Sequence, residues 1–194
     1  MAEVKPLGEV LRKQDYEVLT VPLVLCREMV AKYHYAGTGS NTATFRHGLF
    51  RRADPDRCVG IAWWIPPTKA AAHANYPENW RAVLVLSRLV ILPGEPTNAA
   101  SFLIMQSVKL IRQDPRWECL LTYADSWQGH SGAIYKATNW EYRGQTTPEA
   151  TWLTSEGKMI ARKAGPHTRT KAEMIAMGCK MIGRFSRHRF RMVL

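Results

Sequence analysis

The stretch AVLVLSRLVILPGEPTNAASFLIMQSVKLIRQDPRWECLLTYAD, residues 82–125, decides how this chain folds. Its first ten residues are apolar except Ser87 and Arg88, the pattern of a central strand buried on both faces. PGEPTN reads as a turn, and residues 98–113 as a helix capped by Thr97 or Asn98. WECLLTYAD, 117–125, is a second buried strand. Two buried strands bridged by a helix make a crossover unit with a parallel pair at the centre of a sheet.

Working outward, Pro22 opens a helical stripe to about residue 34, ended by Gly37 and Gly39. TFRHGLF (44–50) and RCVGIAWWI (57–65) flank a turn at Asp54-Pro55-Asp56, a hairpin. A looser stretch, 68–80, separates it from the central strand. After residue 125 come a short helix in SGAIYKATN, strand candidates WEYRGQ, ATWLT and KMIAR, a helix over 167–178, and a final basic strand or arm. This is a mixed α/β (α+β) chain with its crossover in the middle.

The 194 residues suit one domain or one domain with an arm, and 46% hydrophobic with 22% charged residues excludes wholesale disorder. No apolar run approaches the ~20 residues of a membrane span, and the first ten residues lack a signal peptide's apolar core. Cys26, Cys58, Cys119 and Cys179 form no C-x-x-C, and no zinc-like histidine spacing occurs. A cytoplasmic protein is expected. The formal charge is +11, and residues 161–194 hold nine Lys/Arg against one acid. Such segregation points to a polyanion, with Lys180, Arg184, Arg187, Arg189 and Arg191 gripping phosphate. A solubility surface is the alternative.

Chemistry belongs at the carboxyl ends of the two central strands. At the first, Arg88 could fork an anion beside the helix N-terminus that carries Ser101; an Arg paired to a carboxylate and a Ser satisfying its own helix turn explain them equally well. At the second, Asp125 is a base, a metal ligand or a helix cap, and Tyr135 lies one turn into the next helix. Tyr33-His34-Tyr35 closes the first helix. Trp63 and Trp64 must point to opposite faces of their strand, so one should face outward or a cleft, where it could stack on an unpaired base.

The layout, with GAIYKATNWEYRG near its end, resembles the GNAT acyltransferase fold. More specifically, YHY (33–35), LSRLVILPGEPTNAAS (86–101) and TYADSWQGHSGAIYKATNW (122–140) resemble the bacteriophage Mom family of DNA-modification proteins, over most of residues 22–145. A GNAT-like catalytic domain is expected over 1–165, with a basic helix and strand or arm, 166–194, packed on the same domain. The resemblance implies addition of a carbamoylmethyl group to N6 of adenine in double-stranded DNA, protecting phage DNA from restriction. Iron is implied at His34, Tyr35 and Asp125, and catalytic roles for Arg88, Ser101, Asp125 and Tyr135. One departure matters: the usual glycine-rich pyrophosphate loop is replaced by Gly94-Glu95-Pro96-Thr97-Asn98-Ala99-Ala100, which offers fewer free N–H groups and adds an acid.

Adenine N6 is paired and stacked in a duplex, so the base must flip into a pocket, with Trp63 and Trp64 as stacking walls. Atom counting favours an activated glycine, such as glycyl-tRNA, as the donor; acetyl-CoA with redox iron is the rival. An ordinary acetyltransferase for a protein or small molecule, and a non-catalytic DNA-binding module, are the other functions considered. A homodimer stays open.

Overall fold

The computed structural model describes residues 10–40, 42–164 and 167–194. In chain order they form β1 (Tyr16–Thr20), α1 (Leu23–Tyr33), β2 (Phe45–Arg51), β3 (Asp54–Ile65), α2 (Lys69–Asn75), β4 (Val83–Ile91), α3 (Ala99–Ile111), β5 (Cys119–Asp125) and α4 (Ala133–Ala137). There follow β6 (Glu141–Gln145), β7 (Glu149–Leu153), β8 (Met159–Ile160), β9 (Lys163–Ala164), β10 (His167–Thr168), α5 (Lys171–Ala176), β11 (Lys180–Phe185) and β12 (Arg187–Val193).

Seven strands form one sheet in the order β1-β2-β3-β4-β5-β12-β6. The β4–β5 pair is parallel, as a helical crossover requires, and its neighbours are antiparallel. Helix α3 buries Leu103, Ile104, Val108 and Ile111 against one face of the sheet. On the other, α1 covers a cluster with Cys26, Met29 and Val30, and α2 contributes Ala72 to a second. Strand β3 is thus covered on both sides. Trp63 packs with the α1 cluster and Trp64 with the α3 cluster, both fully buried. The two rings do point to opposite faces, but neither faces a cleft, so neither can stack on a base.

The hairpin between β2 and β3 is tighter than expected, with Arg51 opposite Asp54. The 165/166 division falls on residues outside those described. Beyond it, of the two forms expected, strand or arm, β12 takes the strand: it lies between β5 and β6, with Phe190 fully buried in the main core. Strand β11 pairs with β7 in a separate three-stranded sheet, and α5 is shorter than the helix expected over 167–178.

A buried polar cluster ties β2 and β3 to α3. Ser107 Oγ accepts from Trp64 Nε1 at 2.6 Å and is hydrogen-bonded to His47, 2% exposed. Burial pushes the His47 pKa down to about 4, below the 6.5 of a free histidine. Between those values the unfolded chain takes up a proton that the folded chain refuses. Stability from this group is therefore full above pH 6.5 and falls as pH drops towards 4, by up to about 3 kcal/mol. Urea midpoints at pH 7.5 and pH 5 should show the decline; a flat profile would contradict a neutral, sealed His47.

Candidate active site

The register between β3 and β4 sets Trp63 opposite Arg88 but Trp64 opposite Leu86, leaving Ser87 as an extra residue. A bulge of this kind bends its strand. Pairing of β4 with β5 stops at Leu86 opposite Thr122, and beyond it the strands are held by their outer neighbours, β4 by β3 and β5 by β12. The sheet therefore splits at its parallel seam. The opening is a cleft of about 420 Å³ between Ser87 and Leu89 on one wall and Tyr123 and Ala124 on the other, within the range of small-molecule sites.

The residues after β5 close one side. Gly129 and Gly132 take positive φ (72° and 76°), and a Cβ on Gly132 would run into the Phe190 ring. That close approach seats α4, so that Tyr135 lines the cleft while its ring packs on Phe190 and Trp140, centroids 5.3 and 5.8 Å away.

His34 and Tyr35, just past α1, form the mouth, stacked with centroids 4.4 Å apart. Tyr35 Oη donates to Asp125 Oδ2 at 2.6 Å, and Arg187 Nε donates to Asp125 Oδ1 at 3.1 Å. Burial and the bond to Asp125 push the Tyr35 pKa well above the usual phenol range, so it stays a donor. Arg88 is pinned by the carbonyls of Thr38 (2.8 Å) and Ser87 (2.6 Å), close enough to Tyr35 and Asp125 to feel their charge. His34 Nδ1 accepts from the Ala36 N–H at 3.1 Å. Burial, then the charge of Arg88, pushes its pKa down to about 4. The neutral ring consequently carries its proton on Nε2 and offers a donor there.

This arrangement does not fit an iron site. Both Asp125 oxygens, the Tyr35 proton and the His34 Nδ1 lone pair are engaged with protein partners. Arg88 and Arg187 bring two fixed positive charges beside them. Among the described residues no cluster of three or more His, Cys, Asp or Glu is gathered.

His34, Tyr35, Arg88 and Asp125 thus lie together, and Tyr135 lines the same cleft as His34 and Tyr35. Ser101 does not: it sits on the first turn of α3, its hydroxyl donating to the Asn98 carbonyl at 2.9 Å, off the cleft wall. Glu95 behaves unlike the free acid expected in its loop. Its carboxylate takes a bidentate pair from Arg51 and the Tyr16 hydroxyl, and its side chain is only 4% exposed. Arg187 and Trp127 were not singled out at this mouth. The signal for Arg187 was its place in a period-two strand, RHRFRMV, which sets it opposite Asp125.

A seven-stranded mixed sheet that parts at its parallel seam defines the GNAT acyltransferase fold. Solved structures share it: Arabidopsis thaliana NAA60 in complex with a bisubstrate analogue (TM-score 0.58, 8% identity, 92% of this chain and 97% of that one) and spermidine N-acetyltransferase from Vibrio cholerae in complex with CoA and spermine (0.56, 9%, 93% and 96%). Within that fold, the model of the Mom protein family matches residues 15–194, and the chain belongs to that family. The methylcarbamoylase Mom of Escherichia phage Mu is 26% identical over 149 residues, 75% of this chain. That alignment spans 59% of the phage Mu protein's length.

Proposed function

We propose that the protein transfers a glycine-derived group to N6 of adenine in DNA, leaving a carbamoylmethyl substituent that shields phage DNA from restriction. The observation that carries this reading is the split seam with Tyr35, Asp125 and Arg187 at its mouth, in a chain of the Mom family. The name of the phage Mu relative supports the product.

The cleft between β4 and β5 takes the activated acyl group, with backbone released by the bulge at Ser87 beside it. His34 Nε2–H donates to the carbonyl oxygen as it gains charge, and the Arg88 guanidinium adds a fixed positive field. Asp125, oriented by Tyr35 and Arg187, receives the proton lost by N6. Attack of N6 on a glycyl ester gives N6–CO–CH2–NH2 and frees the carrier's hydroxyl. The new amine then adds to C6 through a five-membered ring, the original C6–N6 bond breaks, and C6–NH–CH2–CO–NH2 results. Every atom of the group is conserved in that second step.

Acetyl-CoA is the second donor, giving N6-acetyladenine and free CoA by plain acyl transfer; it is favoured by one observation: with Glu95 folded onto Arg51, its loop no longer presents a free carboxylate to a pyrophosphate. One experiment separates the cases. Nucleosides from DNA of cells expressing the protein and fed nitrogen-labelled glycine should contain an adenine about 57 Da heavier, the mass of C2H3NO, before label is counted. Label must sit on the nitrogen bonded to C6. Label on the terminal amide alone, or none, removes the glycyl route, and unmodified DNA removes the function.

A further inference from the structure

With Trp63 and Trp64 sealed in the core, the extruded base needs another platform. A second cleft, of about 520 Å³, opens on the far side of Asp125, between the end of β5 and the sheet formed by β7, β8 and β11. Its walls carry four cations, Arg162, Lys163, Arg184 and Arg187, against two carboxylates, Asp125 and Glu149. Arg187 is shared between those two acids, at 3.1 and 3.7 Å. Among the described residues Arg162 and Arg184 hold carbonyls, those of Arg169 (2.7 Å) and Pro148 (2.9 Å), and no carboxylate, so their charge is uncompensated there. Three aromatic residues line the same cleft: Trp127 and Phe185, both half-buried, and Trp152, which is buried.

Trp127 is well placed and held firmly. It rides on a single 3-10 turn, Ser126–Gln128, whose Ser126 hydroxyl donates to the Ser186 carbonyl at 2.6 Å. Its ring meets Tyr35 edge-on, centroids 6.5 Å apart. Tyr35, which lines the first cleft, thus touches Asp125 and Trp127, which line the second, so the two clefts adjoin at this junction.

We infer that this second cleft is the acceptor subsite: the extruded adenine of DNA stacks on Trp127, and Arg162, Lys163 and Arg184 hold the phosphates flanking it. The inference rests on the function proposed above and adds the place where the acceptor binds. An aromatic face suits any base, whereas a peptide or a lipid surface would use the cations without needing an aromatic face beside a carboxylate.

The test uses the full chain and two short deoxyoligonucleotides, one made of abasic residues around a single adenine, the other wholly abasic. The unsubstituted protein should bind the adenine-bearing strand about tenfold more tightly or better. Trp127→Ala should abolish that preference, and Trp127→Phe should retain part of it. Removing Arg162 and Arg184 together should weaken both strands alike and lower the salt slope by about one to one and a half. Circular dichroism checks that each variant is folded, and the phenylalanine variant alone decides the matter if the alanine one is not. Adenine preference surviving in Trp127→Ala, no preference in the unsubstituted protein, or tighter binding of the corresponding ribo-oligonucleotide each overturns the assignment. Adenine preference that depends on Trp127, in cells whose DNA stays unmodified, would instead retain the subsite and remove the proposed chemistry.

Discussion

A chain ended after Ser186 is expected to lose its cooperative unfolding transition altogether, not merely its grip on nucleic acid. Strand β12 is paired along its whole length, Arg187 to Val193, with β5 and over part of it with β6. Without it β5 becomes an edge strand, β6 is detached, and the core loses Phe190 and Met192. A graded version is Phe190→Ala. Phe190 is fully buried and supports Gly132, Tyr135 and Tyr142 by direct contact. Large-to-small changes at such sites cost about 3–5 kcal/mol, a large part of the ~5–15 kcal/mol that holds a domain together. Urea unfolding followed by circular dichroism should show a much lower midpoint for Phe190→Ala. Lys180→Ala, at an exposed position with no ion pair among the described residues, should shift it little. A truncated chain with a normal transition would restore the picture of a detachable basic arm.

The basic C-terminus shows where the reading of the sequence stopped. RHRFRMV alternates as a strand should, yet its arginines drew attention to a partner outside the protein. In the fold they share one face and find partners within it: Arg187 on Asp125, Arg189 on the Arg143 carbonyl, Arg191 on Glu141. Of the five cations expected to grip phosphate, Arg187 and Arg191 are ion-paired, and Arg184 lines the second cleft. Net charge counts residues; whether each charge is compensated depends on pairings between segments far apart in the chain.

The crossover at 82–125 was legible because a nearly continuous apolar run can be satisfied only between two layers. The same logic limited the tryptophan pair. Period two says that Trp63 and Trp64 part company, but not how many layers cover the strand, and here α1 and α3 cover both faces. Strand β1 and helix α2 escaped notice because Tyr16–Thr20 is short and the alanine run near residue 70 has no stripe. Arg88 and Asp125 were found because a charge at the end of an apolar strand has no packing value. Trp127 and the Glu95–Arg51 pair were not, since each is defined by a neighbour remote in sequence.

Asp125 is where the candidate chemistry concentrates, and Asp125→Asn is expected to reduce accumulation of the modified adenine by about 10²–10⁴-fold at equal protein level. The carboxylate lines the second cleft and is bonded to Tyr35, which lines the first, and its two oxygens are aimed by Tyr35 and Arg187. Asparagine keeps the size and one acceptor but cannot take a proton, so folding should survive where activity does not. Tyr35→Phe deletes only the donor that orients Asp125 and should give a smaller loss. If the two act as one unit, the double variant will be no worse than Asp125→Asn alone, because groups that work through each other do not add. If they serve separate purposes, the losses will multiply. DNA binding gives the necessary contrast: removing a negative charge from a basic groove should leave affinity unchanged or raised, so a fall in product cannot be laid to weaker binding. Asp125→Asn with product within tenfold of the unsubstituted protein would take this carboxylate out of the reaction, and with it the reading of the Tyr35–Asp125–Arg187 cluster as the reaction centre.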